Sequence, residues 1–363
     1  MNKKIIAVAL AAMPLAAMAD VTIYGTMSGG FEHDTAAHEG PSQNKVDDYT
    51  SLIGFKGSED LGNGLKTIWQ IENRVHLDGS STTDTMATRQ TWVGLDGGNL
   101  GKIRMGHLNF VENDQYAVDQ WNDGSGVNGL QLFNSGTRMK NAIRYDSATF
   151  AGVSFAFGYS AGEDKGNGSD ASDVWTYGIN YDTPLSGLSL HYAGNYDENP
   201  GAVDPGITGT TFTSSTSRKA NTNLIEADYA QDNLFLAAAY KWSTGYDLGN
   251  GYAMGDYAGI NGIKIHQAAF SAAYTFGAIK PKFSVAKAWN AQVAGSDIND
   301  SGYTQFVVGV DYLLSKRTTV GVSYGHMNQG NNMQSNTSSN LTGTDLGFDV
   351  PKSTTSMQIS TSF

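Results

Sequence analysis

Apolar and polar residues alternate one by one along most of this chain. In residues 153–159, every odd position carries an apolar or aromatic side chain and every even position a small or polar one. The same alternation recurs in residues 175–182, 188–196, 270–276, 305–312 and 319–324. Because successive side chains of a β-strand point to opposite faces, each segment predicts a strand with one apolar face and one small or polar face.

The connections between these segments alternate between short and long. Short turns are predicted at residues 58–63, 97–100, 149–151, 184–187, 232–233, 278–280 and 314–316, and the clearest long polar loops at residues 107–140, 199–220, 245–263 and 329–351. Dividing the chain at its connections gives sixteen strands. An even number of strands with turns at one end and loops at the other is typical of outer-membrane barrels, which leave no unpaired edge in lipid. The pattern predicts an all-β, 16-stranded antiparallel transmembrane β-barrel rather than the alternative, a soluble β-sandwich.

The N-terminal residues have the features of a secretory signal. Lys3 and Lys4 precede an uncharged apolar run over residues 5–19, which ends in the small-residue pattern Ala17-Met18-Ala19. This predicts a signal peptide over residues 1–19 and a barrel over residues 20–363. A membrane anchor is the alternative, but the run is shorter than the ~20 residues of a spanning helix and contains Pro14.

Charge and composition exclude several classes of function. Loss of residues 1–19 removes Lys3 and Lys4 and no acid, which lowers the formal net charge from −12 to −14. Such an acidic chain does not bind nucleic acid through phosphate contacts. There is no cysteine, and the seven histidines are scattered without metal-ligand spacing. No cofactor, metal or catalytic residue is therefore expected.

Several motifs resemble those of one protein family, the neisserial-type general porins of β-proteobacteria. They lie at residues 20–26 (DVTIYGT), 53–72, 89–95, 102–106, 143–147 and 315–318, and at Phe363. The resemblance implies a homotrimer in the bacterial outer membrane, with a third loop folded into each barrel. It also implies passive diffusion of ions and small hydrophilic solutes. Phe363, at the end of an alternating strand, resembles the assembly signal read by the barrel-assembly machinery.

The long segment 107–140 stands where such porins fold one loop inward. It carries four acids before its first basic residue: Glu112, Asp114, Asp119 and Asp123. We expect these acids to form one side of a pore constriction. The alternative is a solvated surface loop, since loops are generally polar.

A basic wall is expected across from this loop. Strand parity places five basic side chains on the faces opposite the apolar ones: Arg89, Arg144, Arg74, Arg104 and Lys66. Opposed charges would create a transverse field that sorts ions, although charges line any wet lumen. Many relatives carry arginine where this chain has Leu52, which weakens the wall. The balance predicts a weak preference for cations.

Lys287 does not fit the alternation, because it shares parity with the apolar residues of its segment. It is expected to reach toward the interface, to contact lipopolysaccharide phosphate or to mark a break in register. Two other functions are alternatives to a general channel. A substrate-selective channel for organic acids or sugars would need an aromatic track in the lumen, where Phe235 is the main candidate. A barrel enzyme such as a lipase would need a Ser/His pair that no motif suggests.

Overall fold

The computed structural model describes residues 20–35, 41–79, 85–121, 126–130, 132–133, 138–162, 173–198, 219–245, 264–293, 295–330 and 351–363. The expected signal peptide, residues 1–19, lies outside these ranges. Within them the chain is almost entirely β, apart from a 3-10 turn at Gly98–Leu100 and helix α1, Val111–Gln115. No described helix is long and apolar enough to cross a membrane.

One antiparallel sheet closes on itself. Its strands are β1 Asp20–Thr35, β2 Gln43–Asp48, β3 Leu52–Gly62, β4 Leu65–Arg74, β5 Thr91–Asp96, β6 Lys102–Asn109, β7 Arg138–Asp146, β8 Val153–Ser160, β9 Val174–Asp182, β10 Leu188–Asp197, β11 Ala220–Gln231, β12 Leu234–Thr244, β13 Lys264–Tyr274, β14 Ile279–Ala288, β15 Gln292–Val293, β16 Ser296–Asp297, β17 Tyr303–Leu313, β18 Thr318–Gln329 and β19 Ser353–Ser362. Neighbours in the chain pair with one another, and β1 pairs with β19 to close the barrel.

The barrel has sixteen strands, as the alternation predicts. β2 and β3 are two halves of one barrel strand, since both pair with β1, over Gly29–Asp34 and Asp20–Thr26 respectively. β15 and β16 form a small hairpin in the connection from β14 to β17 and do not enter the barrel count.

The break between β2 and β3 was not predicted. Thr50 has a φ of 63° there, a conformation that non-glycine residues rarely adopt. Backbone and side-chain bonds hold the bend, because the Tyr49 amide donates to the Ser28 carbonyl at 2.9 Å and the Ser51 hydroxyl donates to the same oxygen at 2.9 Å. The bend keeps its backbone groups paired although the ladder is interrupted.

The two faces of the sheet differ as the alternation predicts. Phe157 and Ile179 are 50% and 46% exposed on the outer face, whereas Ala156 and Thr176 on the inner face are buried. The exposed apolar side chains form an outer belt that would be costly in water and is suited to lipid. The small and polar residues of the opposite parity line the interior.

One predicted turn lies elsewhere. The turn expected at residues 58–63 begins later, because β3 continues to Gly62 and β4 starts at Leu65. Gly62, Asn63 and Gly64 all have positive φ, the conformation that tight hairpins require and that Gly and Asn adopt most readily. The hairpin therefore forms at the three residues that tolerate it.

Candidate functional site

The predicted loop 107–140 is shorter in the structure, because β6 extends to Asn109 and β7 begins at Arg138. The described part of this segment lies inside the barrel. It contacts the inward faces of ten consecutive barrel strands, from β9 round the closing seam to β1. Each contact uses a wall residue of the parity opposite to the exposed apolar belt. The described part of the segment is therefore folded into the lumen.

Side chains of the wall hold the first part of this loop. The Val111 amide donates to the Thr176 hydroxyl of β9 at 2.8 Å. On β11, the Glu226 carboxylate accepts the Ala117 amide at 2.8 Å. Both wall groups are buried, so these bonds satisfy polar groups that water does not reach.

An indole anchors the middle of the loop. Trp121 donates its Nε1–H to the Ser284 hydroxyl of β14 at 2.8 Å. The Lys282 ammonium lies 4.4 Å from the Trp121 ring centroid and donates to the Gln120 carbonyl at 3.0 Å. Lys282 also pairs with Asp311 at 2.8 Å. This lysine is therefore a support for the loop that parity alone did not single out.

The far part of the loop is fastened near the seam. Gln305 of β17 donates to the Val127 and Gly129 carbonyls at 3.0 and 2.6 Å. The Val127 amide donates to the Thr354 hydroxyl of β19 at 3.0 Å. On β18, a Cβ added to Gly325 would lie 1.8 Å from the Val127 oxygen. Glycine there allows the loop backbone to touch the wall.

The circuit ends on β1. Asn128 donates to the Glu32 carboxylate at 3.0 Å, and the Tyr49 hydroxyl donates to the same oxygen at 2.6 Å. Lys45 pairs with Glu32 at 3.1 Å and with Asp34 at 2.7 Å. The end of the loop thus joins a buried network at the upper, long-loop end of the barrel.

An apolar cluster packs the loop against the wall. The loop contributes Val118, Trp121, Val127, Leu130, Leu132 and Phe133, and the wall contributes mainly small residues, among them Ala237, Ala239, Ala269, Ala286 and Ala288. Small side chains leave room for the loop within the lumen. Phe235, the candidate for an aromatic track, packs against this cluster, so it supports the loop and not a separate path.

The loop acids have structural partners. Asp114 accepts Asn109 at 2.8 Å and pairs with Arg144 at 2.5 Å. Glu112 is 3% exposed and accepts the Asn195 amide at 2.9 Å. The carboxylate of Asp119 accepts the amides of Trp121 and Leu130, both at 3.1 Å. Asp123 lies outside the described residues.

The expected basic residues lie on β4 to β7 and just before β5, and most of them are paired with wall acids. Arg74 pairs with Asp48 at 2.7 Å, and Arg89 pairs with Glu72 at 2.7 Å. Glu72 also accepts the Tyr24 hydroxyl at 3.1 Å. Arginine and carboxylate therefore share this part of the lumen surface.

Arg144 and Arg104 share a carboxylate. Arg144 is 4% exposed and pairs with Asp146 at 2.6 Å as well as with Asp114. Arg104 pairs with the other oxygen of Asp146 at 2.7 Å. The guanidinium of Arg104 also lies 5.1 Å from the Trp92 ring centroid. Arg144 thus joins the loop to the wall and is not presented freely to the lumen.

Lys66 stands apart from the arginines. It lies one residue after the start of β4, in register with Asp60 and Asp96 at the short-turn end. Arg138, which was not assigned to the wall, is the first residue of β7 and lies within electrostatic range of Arg89 and Arg74. The signal that could have found it is its position at the loop's end, where the chain re-enters the wall.

These features define a class of protein. A closed barrel with an apolar outer belt, a polar interior and a loop folded into the lumen is a transmembrane channel of the porin type. The described hydrogen bonds between the loop and the wall run from β9 to β1. On the β4–β7 side, the loop is joined to the wall by the ion pair between Asp114 and Arg144 of β7.

Comparison with known proteins identifies the family. The family described as Gram-negative porin matches residues 7–332, and the chain belongs to it. The major outer membrane protein P.IB of Neisseria meningitidis serogroup B is 32% identical over 337 residues, covering 91% of this chain and 94% of that protein. The protein of the same name from Neisseria gonorrhoeae is 33% identical over 345 residues, with the same coverage.

Solved structures share the fold. An anion-selective porin from Comamonas acidovorans superposes with a TM-score of 0.73 at 20% identity, covering 95% of this chain and 100% of that one. OmpF of Salmonella typhi, in complex with daunomycin, gives a TM-score of 0.63 at 18% identity, covering 94% and 97%. The family match and the relatives therefore identify the chain as a neisserial-type porin. It is a diffusion channel of the bacterial outer membrane rather than an enzyme.

Proposed function

We propose that this porin is a general channel for ions and small hydrophilic solutes, narrowed between loop 107–140 and the wall of β4–β7. The observation that carries this proposal is the series of hydrogen bonds between the loop and the wall, which runs from Val111 bonded to β9 to Asn128 bonded to β1. A loop fastened on so many strands keeps a fixed shape, and a fixed constriction sorts solutes by size and charge.

The pairing of charges favours weak selectivity. The arginines of the wall and Asp114 of the loop are neutralised locally, so neither sign dominates the narrow region. The upper mouth is more acidic, because Lys45 is surrounded by Glu32, Asp34 and Asp47 at 2.7 to 3.5 Å. Charges beside water are screened within ~8 Å at physiological salt, and a mouth with an excess of negative charge attracts cations by focusing. We therefore propose a weak cation preference that fades as salt rises.

An anion preference is the second candidate. It is favoured by the structural neighbour from Comamonas acidovorans, which is an anion-selective porin, and by the number of arginines on one wall. Leu52 counts against it, because it lies on the inward face in register with Arg74 and brings no charge there.

A planar-bilayer measurement in a salt gradient tests this proposal. We expect the reversal potential to indicate weak cation preference, and we expect Arg89→Ser to move it further toward cations. Asp114→Asn should move it toward anions, because Arg144 loses one of its two carboxylate partners. A clear anion preference in the unaltered channel would show that the arginine wall dominates. If neither substitution moves the potential, the constriction lies elsewhere, although the channel itself stands.

We also propose a homotrimer, with the outer-membrane lipid, lipopolysaccharide and barrel-assembly machinery as further partners. A solved porin of Vibrio cholerae with this fold is described as a trimer form. On this chain an apolar concave surface spans the seam, lined by Phe31, Val322, Met357 and Ile359 among others. Unheated gels in dodecyl sulfate should show a band three times the monomer mass that disappears on boiling, and a monomer alone would contradict the proposal.

A further inference from the structure

Lys287 carries a positive charge on the outer, lipid-facing side of the barrel. It lies on β14 in register with Ala268 and Thr304, with Phe283 and Val285 on the same face. The structure shows no break in register here, so parity alone explains its direction. It is one residue from the end of β14 that leads into a long connection, and it is exposed.

Lys287 lies at one end of a series of neighbouring aromatic rings. Its ammonium lies 5.5 Å from the Trp289 ring centroid, and Trp289 lies 6.2 Å from Tyr240. Tyr240 in turn contacts Trp242 at 5.8 Å and bonds to His266 Nδ1 through its hydroxyl at 2.7 Å. Tyrosine and tryptophan of barrel proteins gather at the level of the lipid headgroups. Lys287 therefore lies in the upper aromatic belt, where the headgroups of the outer leaflet begin.

A second lysine stands one step higher. Lys264 is the first residue of β13, and His266 and Ala268 share its outward parity. Ala268 lies directly opposite Lys287 on β14, so Lys264 is four residues further along β13 toward the long-loop end. In the described parts of β12, β13, β14 and β17, no outward-facing residue is an aspartate or glutamate. The nearest acid in the adjoining hairpin, Asp297, accepts the Gln292 amide at 2.9 Å. The patch is consequently basic and aromatic, with no carboxylate on its own face.

This combination has a particular chemical complement. A lysine at the interface is tolerated far better than one at the midplane, because its stem can cover apolar surface while its ammonium reaches the headgroups. Two ammonium groups and an imidazole above an apolar belt match a ligand with phosphate at the headgroup level and acyl chains below. The seam groove proposed for the trimer is lined by β1, β2 and β17–β19 and touches β14 only at Ile279, the first residue of that strand. The opposite end of β14, where Lys287 lies, would remain exposed to lipid together with β12 and β13.

We propose that Lys287, Lys264 and His266, framed by Trp242 and Trp289, bind the phosphate-bearing headgroup of an outer-leaflet glycolipid. The acyl chains of that lipid would lie against Phe270, Val285 and Phe306 below. This interaction is separate from conduction, since every residue of the patch points away from the lumen.

Native mass spectrometry of the detergent-purified protein tests the proposal, with bisphosphorylated lipid A as the probe. Lys287→Gln should weaken lipid A binding about fivefold, which is the contribution of one lysine near an anionic lipid surface, and the double variant with Lys264→Gln should weaken it further. The matched control is Lys316→Gln, which removes another exposed lysine from a turn at the opposite end of the barrel. It should leave binding unchanged.

Two comparisons identify the ligand group. Two control lipids, phosphate-free lipid A and the zwitterionic phosphatidylcholine, should bind weakly to the unaltered protein. Their affinity should not change in Lys287→Gln. Equal binding of lipid A to the Lys287→Gln, Lys316→Gln and unaltered proteins would overturn the proposal, as would equal binding of the phosphate-free lipid. Single-channel conductance of Lys287→Gln should match the unaltered channel, so failure here is distinct from failure of the proposed channel function.

Discussion

Gln305 offers a direct test of how the inner loop is held. Its side chain is 1% exposed and donates to two loop carbonyls, those of Val127 and Gly129. Gln305→Ala removes both donors while leaving the carbonyls in place. An unmade hydrogen bond to a buried polar group costs about 1–3 kcal/mol, and water entering the vacated space would restore part of it. We therefore expect a loss of about 2 kcal/mol in the attachment of this part of the loop.

Such a loss would raise the population of detached loop about 30-fold. The expected result is greater open-channel current noise and a larger mean conductance in planar bilayers, because the loop leaves the wall more often. Urea unfolding of the barrel in lipid vesicles should also shift to lower denaturant, since the loop's packing contributes to the folded state.

Gln358→Ala is the matched control. Gln358 is also a buried glutamine of inward parity, on β19, which is separated from β17 by β18, but its described contacts do not include a hydrogen bond to the loop. Its noise and conductance should stay close to those of the unaltered channel. Equal current noise in the two variants would refute the reasoning, because it would mean that the Gln305 bonds do not hold the loop.

Three further outcomes are expected. Leu52→Arg places a guanidinium on the inward face beside Arg74, so the reversal potential in a salt gradient should move toward anions, and an unchanged potential would remove this position from the pore. Gly325→Leu places side-chain atoms where the Val127 carbonyl lies, and overpacking of about 1–3 kcal/mol should lower the unfolding midpoint in urea; a midpoint equal to that of the unaltered barrel would show that the loop does not touch β18. Phe363 exchanges backbone hydrogen bonds with Gly25 at 3.1 and 3.2 Å across the closing seam. Phe363→Ser should reduce the amount of folded barrel in the outer membrane without reducing export, as measured by heat-modifiable mobility, and normal levels would exclude the assembly role.

Much of the barrel could be predicted from the alternation. The side-chain period of a strand is local, so residues such as Phe157 and Ala156 reveal their faces without any knowledge of their neighbours. The even count of strands and the short turns followed in the same way. The first turn was placed too early, at residues 58–63, because β3 extends to Gly62, the first of the residues whose positive φ allows the hairpin.

The candidate site was predictable only in part. Parity was misleading for Arg89, which precedes β5 and shares the parity of the exposed Val93 and Leu95, yet pairs with Glu72 inside the barrel. The position of loop 107–140 and the parity of Arg144 could be read from the chain, because each depends on order or on a short repeat. The partners of these residues could not. Asp114 and Arg144 are 30 positions apart and meet at 2.5 Å because of the path the loop takes inside the barrel.

Only the tertiary structure therefore determined which partners the charged side chains have. Counted along the chain, four loop acids face two arginines, but in the folded barrel Glu112 and Asp119 bond to an amide side chain and to loop amides. The physical reason is that alternation specifies only which face a side chain occupies. The closure of the barrel and the register of its strands determine which groups meet across the lumen, and those depend on all sixteen strands together.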